Sequence, residues 1–174
     1  MILVISSSLN SSSNSRILAR ETFRVLERDG IPATFLDLRE LPLPFCDGGP
    51  AYTHTNVASA KKLIHDATGI IVAVPIYNFM VNAAVKNLVE MTGEAWEGKV
   101  VGFLCAAGGR SSYMSVMSFA NGLMLDYRTL IVPRFVYASG DAFEGDTISD
   151  PETVGRVAEV ARMTVKLGRA LQAA

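Results

Sequence analysis

Serine and asparagine side chains crowd the segment that follows the first apolar run of the chain. Residues 6–15 read S-S-S-L-N-S-S-S-N-S, and Arg16 follows at the start of a helical pattern. Hydroxyl, amide and N–H groups at a helix N-terminus bind phosphate, because they direct donors at the anion and the helix dipole adds attraction. A cation in the first turn opposes that dipole, and a bound phosphate would resolve this conflict at Arg16. The alternative is a serine-rich capping loop that touches only water.

Two aromatic residues flank an asparagine in a second loop, Pro75-Ile76-Tyr77-Asn78-Phe79-Met80. Aromatic edges beside amide and backbone groups suit a flat, partly polar heterocycle. The competing interpretation is that Tyr77 and Phe79 only cover the end of a sheet.

Paired glycines mark a third loop, Ala106 to Tyr113, which contains Gly108, Gly109 and Arg110. Such glycines let the backbone approach a ligand closely, although they are also ordinary turn residues. Arg110 either meets an anionic cofactor or stays solvated.

Other catalytic signatures fail. Residues 93–99, G-E-A-W-E-G-K, have the spacing of a phosphate-binding P-loop, but the next residue is Val100 and the segment follows a helix. Residues 6–15 contain no glycine, which excludes the dinucleotide glycine fingerprint. His54 and His65 belong to no metal-ligand cluster and no nucleophile elbow. We therefore predict no metal site and no catalytic acid, base or nucleophile.

Short β-rich runs alternate with longer helical segments, and this alternation must position the three loops. The predicted strands are Ile2–Ile5, Ala33–Leu38, Gly69–Val74, Lys99–Cys105 and Thr129–Val136. The predicted helices are Arg16–Asp29, Asn56–Asp66, Val81–Met91, Ser111–Leu125 and Asp150–Leu171, with a polar loop at Ala138–Ser149. The pattern predicts a doubly wound parallel sheet with right-handed crossovers. Ligands bind beyond the carboxyl ends of such strands, where all three loops lie.

Composition limits the class of protein. The chain has 174 residues, 49% of them hydrophobic, which predicts a single domain spanning 1–174. Its net charge of −1 argues against nucleic-acid binding and against a basic membrane patch. Neither a signal peptide nor a membrane span is expected. Cys46 and Cys105 match no ligand or redox spacing, which predicts reduced thiols in a cytoplasmic protein.

These motifs resemble the NAD(P)H-dependent FMN reductases of the flavodoxin-like fold. That family opens with a strand and a loop of the form G-S-x-R-x-x-S-x-N, which residues 7–15 resemble, with Ser8 and Ser13 at the phosphate-binding serines. The second signature, P-x-Y-N before a helix that carries K-N, is matched by Pro75, Tyr77, Asn78, Lys86 and Asn87. Gly108 and Gly109 match the third, a glycine-rich turn. Asn10 replaces the family's arginine, and Phe79 stands where glycine or serine is usual.

The resemblance implies a three-layer α/β/α domain whose five-stranded parallel sheet has the order 2-1-3-4-5. It implies FMN as cofactor, with NADPH or NADH as co-substrate and a free flavin, a quinone or a similar small molecule as acceptor. The residues implied at the phosphate are Ser8, Asn10, Ser13, Ser15 and Arg16. The isoalloxazine ring would lie along Pro75, Ile76, Tyr77, Asn78 and Phe79, with Gly108, Gly109 and Arg110 at its other side.

The predicted helix Ser111–Leu125 is apolar on more than one face, which favours a subunit interface over a helix buried in the monomer. The resemblance implies a homodimer or homotetramer. Two other functions stay open. One is a flavodoxin-type electron carrier without hydride chemistry, although a T-x-T-G-x-T-like loop and strong acidity are missing. The other is a non-enzymatic protein whose serine loop holds a different phosphate.

Overall fold

A parallel sheet forms the centre of the computed structural model, which describes residues 1–173. Its strands are β1 (Ile2–Ser6), β2 (Ala33–Asp37), β3 (Gly69–Tyr77), the short antiparallel β4 (Met80–Val81), β5 (Val100–Ala107), β6 (Leu130–Ile131) and β7 (Val136–Ser139). The order is β2-β1-β3-β5, with β6 and then β7 on the outer edge of β5. A separate hairpin joins β8 (Phe143–Glu144) and β9 (Thr147–Ile148). The predicted doubly wound, flavodoxin-like fold is confirmed.

Five helices cover the two faces of this sheet. They are α1 (Asn14–Arg28), α2 (Thr55–Asp66), α3 (Ala83–Thr92), α4 (Met117–Tyr127) and α5 (Pro151–Gln172). One core contains side chains of α1 and α5, and the other contains side chains of α2, α3 and α4. Every residue of β1 and β5 is buried, as expected for apolar runs covered on both faces. No helix within residues 1–173 is long and apolar enough to cross a membrane.

Helix α5 approaches the starts of two central strands through small residues. A Cβ atom at Gly69 or Gly102 would lie within 3 Å of the Thr164 side chain. A Cβ at Gly168 would lie 2.7 Å from the carbonyl oxygen of Thr68. Glycine at these positions therefore sets how closely the helix lies on the sheet.

The edge strand predicted at Thr129–Val136 is wrong as a single strand. Leu130 pairs with Val100 and Val136 pairs with Leu104, so the edge chain carries two more residues than β5 over this stretch. Pro133 has no N–H to donate, and Arg134 has a left-handed φ of +59°. These two residues form the interruption between β6 and β7.

Two further predictions need correction. The helix predicted at Ser111–Leu125 begins only at Met117, because a bend and a 3-10 turn at Tyr113–Val116 follow the glycine turn. The segment predicted as a polar loop at Ala138–Ser149 holds the end of β7, a 3-10 turn and the β8–β9 hairpin. Phe143 and Ile148 of that hairpin pack against the core that α1 and α5 cover.

The predicted loop Pro75–Met80 is a tight hairpin. Strand β3 continues through Pro75 to Tyr77, and β4 folds back on it after two turn residues. Asn78 and Phe79 both have positive φ, at +50° and +62°, as a type I′ turn requires. Asparagine tolerates this conformation, whereas a bulky residue such as phenylalanine is strained in it.

Gly168→Ala should destabilise the fold, because the new methyl group would meet the Thr68 backbone. We expect a loss of about 1–3 kcal/mol in the free energy of unfolding, measured by urea denaturation. Gly155→Ala on the same helix is the matched control, since its Cβ meets nothing within 4 Å. Alanine there should stabilise by about 0.5–1 kcal/mol. Equal effects of the two substitutions would contradict this account of the α5 contact.

Phe79→Gly should raise the melting temperature, because glycine adopts the left-handed turn without a Cβ penalty. Relief of strain of about 1 kcal/mol corresponds to roughly 2–4 °C in a chain of this size. Asn78→Gly, at the neighbouring turn position, should give a smaller gain. A lower melting temperature for Phe79→Gly would mean that the phenyl ring contributes packing that outweighs the strain.

Candidate functional site

The three polar loops leave the sheet at one edge, where the strand order reverses. From β1 the chain passes outward to β2, then returns to place β3 on the other side of β1. Ser6, at the end of β1, pairs with Asp37 of β2 and with Ala73 of β3. In doubly wound sheets this reversal opens a crevice between the two loops that diverge from it. The serine loop enters the crevice from β1, and the glycine turn follows β5, beyond β3.

Buried hydroxyl groups surround the N-terminus of α1. Ser8, Ser13 and Ser15 are buried, and the Ser13 and Ser15 hydroxyl oxygens lie 2.8 Å apart. Ser13 is the N-cap residue, and its hydroxyl accepts a hydrogen bond from the backbone N–H of Arg16. Ser8 accepts one from the N–H of Asn10 at 3.2 Å. The structure therefore pairs Ser8 with Asn10 and Ser13 with Ser15, while the exposed Asn10 side chain accepts a hydrogen bond from the Ser12 N–H at 3.0 Å.

The same helix end keeps donors for an anion. The first N–H groups of a helix have no intrahelical partner, and those of Asn14 and Ser15 donate to no other group within residues 1–173. The first turn of α1 contains no acidic residue. Free N–H groups, hydroxyls and the positive end of the helix dipole together favour a negatively charged ligand.

Arg16, which was also predicted to hold the phosphate, is paired with a carboxylate instead of facing the helix N-terminus. Its guanidinium is buried, with Nε 2.9 Å and Nη2 3.0 Å from the two carboxylate oxygens of Asp37. Nη1 also donates to the carbonyl of Ser11 at 3.4 Å. Asp37 thus neutralises the cation that opposes the helix dipole, and the pair fastens the serine loop to the end of β2. A ligand at the helix N-terminus would meet hydroxyl and N–H donors first.

A buried hydrogen-bond network joins the serine loop to α3. The Ser7 hydroxyl shares its proton between the Ala73 carbonyl, at 2.9 Å, and Asn82 Oδ1, at 2.8 Å. Asn82 Nδ2 donates back to the Ser7 carbonyl at 2.8 Å. Asn82 is also the residue before the first turn of α3. The loop after β1 and the hairpin after β3 are therefore held in one fixed relation.

Asn87, part of the K-N signature, anchors a second segment. Its Oδ1 accepts from the Cys46 N–H at 2.8 Å, and its Nδ2 donates to the Pro44 carbonyl at 2.9 Å. The long loop after β2 is thereby fixed against α3. This contact gives the asparagine of the signature a structural role outside the crevice.

The hairpin places its five predicted residues in two environments. Pro75 and Ile76 are buried in β3, whereas Tyr77, Asn78 and Phe79 are exposed at the tip. Phe79 exposes 62% of its surface. An exposed aromatic side chain on a strained turn is costly, and such strain is concentrated at functional sites.

The glycine turn is held from the β7 side. The Tyr137 hydroxyl donates to the Gly109 carbonyl and lies 2.7 Å from the Ser112 hydroxyl. Cβ atoms at Gly108 or Gly109 would meet nothing within 4 Å, so the surface above both glycines is open. Arg110 turns to Asp141, with Nη2 2.7 Å from the carboxylate. Hydrogen bonds from Ser139 and Arg110 lower the pKa of Asp141 below its ordinary value.

The remaining reactive side chains take structural positions. His54 caps α2 by accepting from the Asn56 N–H at 3.1 Å, and His65 lies on the surface beside Asp66. Both cysteines are free, and burial raises the pKa of the Cys105 thiol. Within residues 1–173, no three His, Cys, Asp or Glu side chains group closely enough to hold a metal ion.

Sequence reasoning missed three residues that shape this site: Asp37, Asn82 and Tyr137. The position of Asp37 could have been predicted, because a carboxylate at the end of β2 lies directly beside the end of β1, where the serine loop begins. The partners of Asn82 and Tyr137 lie 75 and 28 positions away, and no local pattern predicts those contacts.

Comparison with solved structures finds the same fold at low sequence identity. The flavoenzyme NAD(P)H:(acceptor) oxidoreductase FerB from Paracoccus denitrificans has a TM-score of 0.78 and 18% identity, over 97% of both chains. The apo NADH:FMN oxidoreductase EMOB has a TM-score of 0.76 and 17% identity, over 95% of this chain and 88% of that one. An oxidoreductase from Corynebacterium diphtheriae has a TM-score of 0.73 and 18% identity, over 95% and 94%.

The family comparison is more specific. A search of curated proteins finds no match. Residues 1–144, which include all three loops of the site, match the family described as NADPH-dependent FMN reductase. The chain belongs to the NADPH-dependent FMN reductase family of flavin oxidoreductases.

Proposed function

We propose that the protein holds FMN in the crevice between the serine loop, the hairpin and the glycine turn, and passes reducing equivalents from NAD(P)H to a small acceptor. The observation that supports this most directly is the N-terminus of α1. There Ser13 and Ser15 lie beside free backbone N–H groups, with no acidic residue in the first turn. This donor set fits a phosphate monoester.

The phosphate would be held by Ser8, Asn10, Ser13, Ser15 and the α1 N–H groups, while Arg16 and its partner Asp37 keep the loop in shape. The flat ring system would lie between the exposed hairpin tip, with Tyr77, Asn78 and Phe79, and the open surface at Gly108 and Gly109. Pro75 pairs with Ala106 of β5 and Ile76 pairs with Val81 of β4 in the strand end beneath the tip. Bound FMN supplies the hydride chemistry itself. The chain binds and orients the ring, and we assign no side chain a role as acid or base.

The acceptor is proposed to be a small molecule, such as free flavin or a quinone. The hairpin tip exposes Tyr77, Phe79 and Met80, so an apolar planar molecule can reach this edge of the crevice. An exposed, aromatic entrance to the crevice suits such acceptors better than a polar entrance.

We also propose that a second copy of the chain covers α4, as a homodimer or homotetramer. Phe119 and Leu123 of α4 face the core, whereas Met124 and Leu125 point to solvent. Leu125 exposes 86% of its surface, and Met114 is exposed just before the helix. Large exposed apolar side chains on one helix and the turn before it suit an interaction site.

The function is tested by an anaerobic visible spectrum of the protein with FMN, before and after NADH or NADPH. We expect a protein-perturbed flavin band that bleaches with the nicotinamide nucleotide. Ser13→Asp should abolish FMN binding, because it sets a carboxylate against the phosphate while remaining a good N-cap. Ser13→Asn is the matched control, since it caps equally well without charge. A perturbed band that does not bleach would indicate an electron carrier, and an unperturbed band would indicate another ligand.

Leu125→Glu should shift the sedimentation coefficient toward that of the monomer, because a buried carboxylate without a partner disfavours association. Leu171→Glu on α5 is the control, because this exposed leucine lies outside the proposed interface. An unchanged sedimentation coefficient for Leu125→Glu would remove α4 from the interface.

A further inference from the structure

A second cavity lies beside the glycine turn, outside the proposed flavin crevice. Its volume is about 540 Å³, which is within the usual range for small-molecule sites. It follows the open edge of β7 and reaches the first turn of α5. We call it the β7 cavity. Its lining includes the side chains of Arg110, Tyr113, Tyr137, Asp141, Glu152 and Arg156.

The β7 cavity is adjacent to the crevice. Ala107 at the end of β5 pairs with Ser139 at the end of β7, so the two following turns leave the sheet side by side. Two strand spacings, about 10 Å, separate the end of β3 from the end of β7. Arg110 belongs to the glycine turn and also lines the cavity. A ligand longer than one ring system can therefore occupy both places at once.

The two arginines of the β7 cavity are held in exchangeable ion pairs. Arg110 pairs with Asp141 at 2.7 Å, and Arg156 pairs with Glu152 at 3.5 Å. Glu152 exposes 81% of its side chain. The carboxylate of each pair is exposed, and such ion pairs contribute little to stability, so phosphate oxygens can replace these carboxylates at small cost. Arginine suits this purpose because its planar donors match phosphate geometry.

Aromatic side chains form another part of the lining. Tyr113 stacks on Phe135 with ring centroids 5.0 Å apart and contacts the edge of Tyr137. Tyr113 still exposes 47% of its surface. A supported and partly open aromatic ring is a suitable surface for a planar base.

Carboxylates outnumber cations in the cavity. Asp141, Asp150 and Glu152 face Arg110 and Arg156. Asp150 is occupied as the N-cap of α5, where it accepts hydrogen bonds from the Thr153 N–H and hydroxyl. Asp141 and Glu152 remain as acceptors for sugar hydroxyls once a phosphate draws the arginines away. An additional phosphate on the sugar would meet repulsion instead.

We infer that the β7 cavity binds the ADP-ribose half of the nicotinamide dinucleotide and favours NADH over NADPH. Arg110 and Arg156 contact the diphosphate, and the exposed face of Tyr113 receives the adenine. Asp141 and Glu152 accept hydrogen bonds from the ribose hydroxyls. The inference rests on the proposed function, because the nicotinamide must reach the ring in the adjoining crevice. It differs from the description of the family, which specifies NADPH.

Calorimetric titration with ADP-ribose and with its 2′-phosphate tests the cavity on FMN-free and FMN-loaded protein. We expect ADP-ribose to bind at least tenfold more tightly than the 2′-phosphate. Arg156→Gln should weaken ADP-ribose binding about tenfold, the effect of one charge-assisted hydrogen bond. Arg169→Gln, an exposed arginine at the far end of α5, should leave the dissociation constant unchanged. Tighter binding of the 2′-phosphate, or no effect of Arg156→Gln, would overturn the inference.

Glu152→Gln tests the discrimination separately. It should weaken the binding of ADP-ribose and strengthen the binding of its 2′-phosphate, so the two dissociation constants should become more similar. A ratio unchanged by Glu152→Gln would overturn the assigned role of this carboxylate.

FMN affinity, measured by fluorescence quenching, separates a failure of this inference from a failure of the proposed function. Arg156→Gln should leave FMN affinity unchanged and raise the KM for NADH without changing kcat. Failure of the wild-type protein to bind FMN would overturn the proposed function. The wild-type protein could reduce FMN normally while Arg156→Gln shows the same KM and kcat for NADH as wild type. That result would overturn only the assignment of the β7 cavity.

Discussion

The buried hydrogen bonds between Ser7, Ala73 and Asn82 are the constraint on which the site depends. They join the end of β1, the end of β3 and the start of α3 at the point where the strand order reverses. Buried polar groups are costly when unpaired, so these three residues hold one arrangement strongly. The serine loop and the hairpin diverge from this junction, and their separation sets the width of the crevice.

The N-terminus of α1 favours an anion without a free arginine. Arg16 is neutralised by Asp37 inside the protein, and the donors left at the helix end are hydroxyl and N–H groups. Such donors are oriented by the backbone and need no rearrangement when an anion arrives. Cationic side chains are found further along the same edge, at Arg110 and Arg156, where surface carboxylates already pair with them.

The sheet and its layers could be predicted from the sequence because a strand buried on both faces appears as an uninterrupted apolar run. Ile2–Ile5 and Gly69–Val74 are such runs, and both lie at the centre of the sheet. The edge strand is shorter, and Pro133 with the left-handed Arg134 breaks it in a way that apolar content does not indicate. The predicted helix starts six residues before the observed one at Met117, because the apolar residues of Ser111–Val116 lie in turns, where serine, tyrosine and valine do not favour a helix.

The loops of the candidate site could be predicted from the sequence, but the contacts of their residues could not. Parallel strands bring their carboxyl ends to one side of the sheet, so the serine, hairpin and glycine loops were expected on that side. The pairing of Arg16 with Asp37 spans 21 positions and that of Ser7 with Asn82 spans 75. Contacts between distant positions depend on the finished packing, and one sequence contains no direct record of them.

The close packing of α5 against Gly69 and Gly102 also affects the order of folding. This helix follows every strand in the chain, and its side chains Val157, Val160 and Ala161 complete one core. During synthesis, the part of this face that α5 covers stays exposed until residues 151–172 have been made. Exposed apolar surface on a partly folded chain promotes aggregation. The nascent protein is therefore most vulnerable between completion of β7 and docking of its final helix.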